Sequence, residues 1–184
     1  MGIIMSIRIY GNRLIKTLPG LETRPTSGKV RTALFNIWQG TIVNCKWLDL
    51  CAGSGAMGAE ALCRKASLVV GIDKSPKVCS MIQENWEKIA DSEQSFQVIK
   101  GDVITKIKSL NQRFDKIYFD PPYSSNLYQP VLEAIAIYQL LNEGGEIAVE
   151  HNPKLSINPL HGLVITKHKV YGNTALTFLS TENL

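Results

Sequence analysis

The spacing of apolar residues differs before and after the first 40 positions. Ser6-Ile7-Arg8-Ile9-Tyr10 alternates polar and apolar residues, Gly11-Asn12 supplies turn residues, and Leu14-Ile15-Lys16 can return, so the pattern predicts a β-hairpin. Arg24-Pro25-Thr26-Ser27 breaks the chain, and Ser27 is placed to cap the next helix. Val30, Leu34, Ile37 and Trp38 then recur at helical spacing until Gly40, leaving Lys29 and Arg31 near the helix start. From residue 46 strands and helices alternate. Short apolar runs predict strands over 47–50, 68–72, 96–99, 114–119 and 147–149. Between them the pattern predicts a helix through Leu62, an amphipathic helix carrying Val78, Met81, Ile82, Trp86 and Ile89, and a short helix over 103–110. A further helix is predicted over 128–141, ended by Gly144-Gly145. Segments 164–170 and 175–179 around Gly172-Asn173 read as a closing antiparallel pair. Near-continuous apolar strands alternating with helices predict an α/β fold with a doubly wound parallel sheet, which places ligands in the crevice beyond the carboxyl ends of the strands.

Composition narrows the function classes. The 184 residues are 45% hydrophobic and 20% charged, with mean hydropathy −0.01. That predicts a single globular domain and excludes a mainly disordered chain. No apolar run approaches the ~18 residues of a membrane span. The opening residues have neither a long apolar core nor a small-residue cleavage site, so no secretory leader is expected. Met1-Gly2 with Ser6 fits a short lipidation pattern, but no anchor is expected from it. Cys45, Cys51, Cys63 and Cys79 lack metal-ligand spacing, and His151, His161 and His168 add none, so no metal site is predicted and a reducing, cytoplasmic setting is.

Charge changes the picture through its location. Residues 1–40 carry Arg8, Arg13, Lys16, Arg24, Lys29 and Arg31 against Glu22 alone, a net +5, while residues 41–184 carry −1. A basic extension over 1–40 on a nearly neutral body over 41–184 points to a polyanionic partner.

The candidate chemistry begins at Asp49-Leu50-Cys51-Ala52-Gly53-Ser54-Gly55-Ala56-Met57-Gly58. A G-x-G-x-x-G follows a strand and opens a helix, where glycines let the backbone turn tightly and approach a ligand. Asp73, 20 residues after Gly53, can accept hydrogen bonds from both hydroxyls of a ribose. A nicotinamide dinucleotide and S-adenosylmethionine both suit such a turn. Asp49 tilts the choice, because a fixed anion beside the turn repels a pyrophosphate and suits a ligand bearing an ammonium and a sulfonium. Gly101-Asp102 follows the third strand of this unit, where a carboxylate can accept from an adenine amino group; turn capping is the other use of Asp49 and Asp102.

The second motif is Asp120-Pro121-Pro122-Tyr123, closing the fourth strand next to the first. Neither proline donates a main-chain hydrogen bond, so the turn is rich in acceptors: the Asp120 carboxylate and the Pro121 carbonyl. Those suit an exocyclic amine with two N–H donors, whose delocalised lone pair is made reactive by orienting it. Tyr123 offers a ring face for an extruded base. The alternative is a rigid strand-end turn with Tyr123 in the core.

Taken together, these motifs resemble the amino-methyltransferases of class I fold. Arg24-Pro25-Thr26 with Val30-Arg31 and Leu34-Phe35-Asn36, then Leu48-Asp49, Ala52 to Gly58, Glu60-Ala61-Leu62 with Arg64, and Tyr171-Gly172-Asn173-Thr174, more narrowly resemble the RsmD family. Asn12 departs from that pattern, which has a second glycine there, and so does the loop after Gly11, which lacks a glycine before its basic residue. The resemblance implies a Rossmann-like seven-stranded sheet with an antiparallel last strand, and methylation of guanine N2 in 16S ribosomal RNA. It implies S-adenosylmethionine at Asp49, Ala52, Gly53, Ser54, Gly55, Asp73, Lys74, Gly101, Asp102 and Asp120, with the target base at Asp120, Pro121, Pro122 and Tyr123. Arg8, Arg13, Lys16, Arg24, Lys29 and Arg31 are then the expected phosphate contacts to the small subunit or its assembly intermediate, made by a monomer. A nicotinamide-dependent oxidoreductase, an RNA-binding module without catalysis, and methylation of another RNA base, a DNA adenine or a protein glutamine are the competing readings. Glu150 and His151 end the fifth strand near the expected pocket with no role assigned.

Overall fold

Two short strands, β1 (Met5–Arg8) and β2 (Leu14–Thr17), pair antiparallel through a turn at Tyr10–Asn12. Gly11 and Asn12 both adopt left-handed φ, 70° and 61°. Asparagine is among the few residues that tolerate this region, which explains how the turn survives without the second glycine of the resembled family. The computed structural model describes residues 5–18, 27–158 and 162–182, so the Arg24-Pro25-Thr26 segment and His161 lie outside the described residues.

Helix α1 (Gly28–Ile37) starts where Ser27 Oγ accepts from Val30 N at 3.2 Å. It buries Val30, Leu34 and Phe35, with Trp38 just past its end. Seven strands then form one sheet. They are β3 (Lys46–Leu50), β4 (Leu68–Asp73), β5 (Ser95–Lys100), β6 (Phe114–Phe119), β7 (Leu141–His151), β8 (Leu163–Tyr171) and β9 (Thr174–Thr181). The order is β5-β4-β3-β6-β7-β9-β8, and all pairs are parallel except β7–β9 and β8–β9. The chain leaves β3 in one direction to β4 and returns on its other side as β6, which makes the β3–β6 boundary a topological switch point.

Helices α2 (Ala56–Cys63), α3 (Pro76–Glu87), α4 (Val103–Ile107) and α5 (Tyr128–Ile137) complete the layers. Period-two alternation along each strand divides the core. Trp47, Tyr118 and Phe178 pack with α1, α2 and α3 on one face; Leu48, Leu50, Ile117 and Phe119 pack with α4 and α5 on the other. Trp47 is stacked on Phe35 at 5.2 Å and meets Trp38 edge-on at 5.5 Å, so α1 is fixed to the sheet by aromatic contacts.

Three predicted helix ends move, and the strand predicted over 147–149 starts earlier, at Leu141. The predicted helix over 128–141 ends at Ile137, and Gly144-Gly145 lie within β7. Leu140 N bonds Ile135 O and Gln139 N bonds Ala136 O, with Gln139 at φ 50°: a Schellman closure built on glutamine, which carries no stop signal in the sequence. The short helix over 103–110 stops at Ile107, and Ile89 lies beyond the end of α3.

The N-terminal hairpin is docked. Asn85 of α3 accepts from Lys16 N and donates to Lys16 O, both at 2.9 Å, imitating a strand neighbour. Arg13 Nη1 donates to Ile89 O at 3.1 Å. Arg31, expected to face RNA, instead points inward from α1: it is 6% exposed, donates to Glu60 Oε2 of α2 at 2.6 Å, and donates to Arg8 O at 2.7 Å. A guanidinium tying three elements together in the interior is not a phosphate contact, and the expectation for Arg31 is corrected on that ground.

Candidate active site

The turn from β3 into α2 is tight. Cys51, Gly53 and Gly55 all have left-handed φ (61°, 55° and 71°) within five positions. Gly55 has no side chain with which to cap α2. Asp49 does this from β3, its Oδ2 accepting from Gly58 N at 3.1 Å. Asp49 is 1% exposed, and burial pushes its carboxyl well above the ordinary carboxylate range, with Asp73 adding to that and the Gly58 N–H opposing it. Gly58 itself serves packing: a Cβ there would lie 2.3 Å from Trp86 Cζ2, the ring that reaches over from α3. Trp86 Nε1 in turn donates to Gly55 O at 2.9 Å, which holds the loop.

Asp73 ends β4 half-buried. Its Oδ2 accepts from Gly53 N at 3.1 Å and its Oδ1 from Ser75 N at 2.9 Å. Gly101 N donates to Asp73 O at 2.9 Å, bringing the end of β5 to the same place. Asp102 comes next, exposed, and caps α4 by accepting from Thr105 N at 3.0 Å. The structure therefore gives both Asp49 and Asp102 the capping use that the sequence left open. Ala52 is half-buried, Ser54 is buried, and Lys74 is exposed at the rim.

Asp120 leaves β6 beside this loop, with Asp120 N at 3.5 Å from Leu50 O. Pro121 is buried and Pro122 exposed, and Ser125 N closes the turn onto Pro122 O at 2.8 Å. Tyr123 is 36% exposed rather than sealed in the core. Its hydroxyl lies 3.1 Å from Thr174 Oγ1 and 3.4 Å from Glu150 Oε1. Burial pushes its phenol up, Glu150 and Asp120 push it further, and the Thr174 bond opposes them. Cys51 reports the field of the whole cleft. Its thiol is pushed up to about 12, first by burial and then by Asp73, Asp120 and Asp49, with only Lys74 opposing. Asp73 and Asp120 thus set a negative field around Cys51, to which Asp49 adds when it ionises.

Of the expected phosphate contacts, Arg8, Arg13 and Lys29 are exposed, with the Arg8 guanidinium on Asn12 Oδ1. Lys16 is half-buried and paired with Glu84 at 2.7 Å. Tyr118, Tyr128 and Thr174, which are not among the expected site residues, also lie here, bonded to Glu150 or Tyr123. Tyr118 lies two residues before Asp120, and Glu150 two residues after Ala148, the β7 partner of Tyr118. Their proximity depends on the β6–β7 pairing, which no local pattern encodes. Among the described residues no helix is long and apolar enough to cross a membrane.

Strand order and the reversed β9 define a Rossmann-like class I methyltransferase fold, with the glycine turn and the Asp120 turn at its switch point. The family model described as Conserved hypothetical protein 95 matches residues 7–180, and the chain belongs to this family, the RsmD family of methyltransferases. It is 32% identical over 168 residues to YlbH of Bacillus subtilis, a protein named provisionally as an rRNA methyltransferase, covering 89% of this chain and 91% of that one. It is 26% identical over 166 residues to Ribosomal RNA small subunit methyltransferase D of Haemophilus influenzae, covering 89% and 86%. The structure of Escherichia coli yhhF, provisionally described as a methyltransferase, superposes with a TM-score of 0.84 at 26% identity, covering 98% of this chain and 100% of that one.

Proposed function

We propose that this chain transfers a methyl group from S-adenosylmethionine to the exocyclic N2 amine of a guanine in 16S ribosomal RNA, acting as a cytoplasmic monomer on the small subunit or its assembly intermediate. The observation that carries this reading is the adjacency of two strand ends: the glycine turn after β3 and the Asp120 turn after β6 lie side by side, joined at Leu50 O and Asp120 N. The names of the relatives support ribosomal RNA as substrate, and the guanine N2 assignment rests on the resemblance to the RsmD family.

The residues present fit the cofactor. At this cleft Asp73 and Asp120, with the buried Asp49 behind them, surround Cys51, and Lys74 is the cation that opposes them there. Such a cleft attracts a cationic ligand and repels a pyrophosphate, which disfavours a nicotinamide dinucleotide. When bound, S-adenosylmethionine supplies an electrophilic methyl group on a sulfonium centre. Asp73 accepts once at each oxygen from the loops, and each carboxylate oxygen has a second lone pair with which to accept a ribose hydroxyl.

The reaction is then a matter of position. Asp120 and the Pro121 carbonyl accept the two N–H groups of the amine, hold its nitrogen, and aim its lone pair into the cleft. Tyr123 presents its ring to an extruded base, and Arg8, Arg13, Lys16 and Lys29, with Arg24, hold the flanking phosphates.

Asp120→Ala tests this. It is expected to abolish methyl transfer to unmodified small subunits while weakening cofactor affinity, by calorimetry, only several-fold, since Asp49 and Asp73 remain; transfer at the normal rate refutes the mechanism. Mass spectrometry of the product RNA identifies the modified nucleotide. Binding of NADH without binding of S-adenosylmethionine would support the oxidoreductase reading instead.

A further inference from the structure

The methyl-transfer reading leaves one buried acid without work. Glu150, at the end of β7, is 4% exposed. Val149 pairs with Phe119, so Glu150 lies beside Asp120 across the β6–β7 pairing. Burying a carboxylate is costly unless donors surround it. Here tyrosine hydroxyls supply them. Tyr118, 2% exposed, donates to Oε2, and Tyr123 Oη lies 3.4 Å from Oε1. Tyr128 Oη donates to the Glu150 backbone carbonyl at 3.4 Å. On its other side the Tyr123 hydroxyl meets Thr174 Oγ1 at 3.1 Å, where Thr174 opens β9 directly after the Gly172-Asn173 turn. These bonds are satisfied together when Tyr123 donates to Glu150 and accepts from Thr174.

We infer that Glu150 is a positioning residue, which with Thr174 holds the phenol end of Tyr123 so that its ring forms a fixed wall of the base pocket. The two prolines fix the backbone as far as Tyr123, but they leave its side-chain torsions free. With the residue 36% exposed, packing constrains this ring less than it does a core ring, and a bond at its hydroxyl adds to what selects the rotamer. Tethering the hydroxyl selects it while leaving the ring face open to a stacked base. Tyr118 supports the arrangement from behind by fixing the other oxygen of Glu150. A purely structural glutamate would need only donors that are themselves in the core, as Tyr118 is. The contact to a half-exposed side chain next to Asp120 does something further: it orders a surface residue. Misplacing a reacting group by about 1 Å costs up to about 100-fold in rate, which sets the scale for losing the tether.

The inference rests on the methyl-transfer reading, and a mutant cycle tests it. The readouts are single-turnover transfer from tritiated S-adenosylmethionine to saturating unmodified small subunits, and cofactor affinity by calorimetry. Tyr123→Phe keeps the ring and removes the tether; Glu150→Ala removes its anchor. Each is expected to slow transfer about tenfold with cofactor affinity unchanged, and the double variant to be no slower than the slower single one. Glu150→Gln, whose side-chain oxygen still accepts from the phenol, is expected to recover most of the rate. Wild-type transfer in Tyr123→Phe, additive losses near 100-fold in the double variant, or Glu150→Gln as slow as Glu150→Ala would each overturn the inference. If Glu150→Ala does not fold, Tyr123→Phe with Thr174→Val forms the same cycle from hydroxyl deletions alone, and additive losses there overturn it equally. Failure of the underlying reading looks different: the wild-type protein transfers no methyl group, or Asp120→Ala transfers at full rate, and the inference then falls with it.

Discussion

Asp49 holds the start of α2 from outside the helix, through a single bond to Gly58 N, in a place where its charge is poorly solvated. The folded protein therefore favours the protonated carboxyl, and burial raises its titration above that of the unfolded chain. Linkage sets the sign. The folded state binds the extra proton once pH exceeds the unfolded value of about 4, so stability falls as pH rises from there through the raised folded value. Asp49→Asn keeps an oxygen to accept from Gly58 and cannot ionise. Without cofactor, it is expected to be less sensitive than the wild type to a rise from pH 4.5 to 8, measured by urea unfolding at each pH. The same substitution is expected to weaken S-adenosylmethionine binding, because the ionised form, costly in the empty cleft, favours a cationic ligand. An equal pH response in both proteins would show that Asp49 titrates normally.

At the scale of elements, the contact between α2, β4 and α3 depends on two glycines beneath one ring. A Cβ at Gly58 would sit 2.3 Å from Trp86, and one at Gly71 on β4 would sit 2.6 Å from it. Gly58→Ala is expected to destabilise the fold by about 1–3 kcal/mol, the usual cost of overpacking, and Trp86→Phe in the same chain to recover part of it. Denaturant midpoints of the two variants check this; additive losses would show that Gly58 and Trp86 do not compete for the same space. This glycine was legible as part of a motif, but its packing role was not, because the ring it meets is 28 positions away in the chain. The same division holds elsewhere. β6 begins and ends where its apolar run does, and Ser27 and Ser75 cap α1 and α3 through their own hydroxyls. Such features are local and can be read from a few neighbouring residues. The end of α5 carries no local signal because a glutamine closes it, and the role of Glu150 is not local because its partners come from β6 and the Tyr123 turn.

Across the whole molecule the charges are sorted. The first 40 residues carry net +5, while the cleft gathers Asp73 and Asp120 around Cys51. A polyanion is drawn to the first and repelled by the second, so a nucleic acid would lie on the N-terminal extension with only a base entering the cleft. Not every cation in the extension is available for this. Arg31 is committed to Glu60 and to the Arg8 carbonyl, with only 7% and 5% of the Arg31 and Glu60 side chains exposed. Glu60 also pairs with Arg64 at 3.0 Å, so removing Arg31 leaves that acid one partner. Arg31→Gln is therefore expected to cost about 3 kcal/mol of stability and to leave the salt dependence of RNA binding by the folded protein unchanged. Arg8→Gln, Arg13→Gln and Lys29→Gln remove exposed charges. Each is expected to lower the slope of log affinity against log salt by about 0.7–0.9 without altering which nucleotide is modified. Titrating unmodified small subunits at several KCl concentrations separates the two groups. A slope that falls with Arg31 and not with the other three would return that guanidinium to the RNA and remove the exposed face of the hairpin and of the α1 start from the interface.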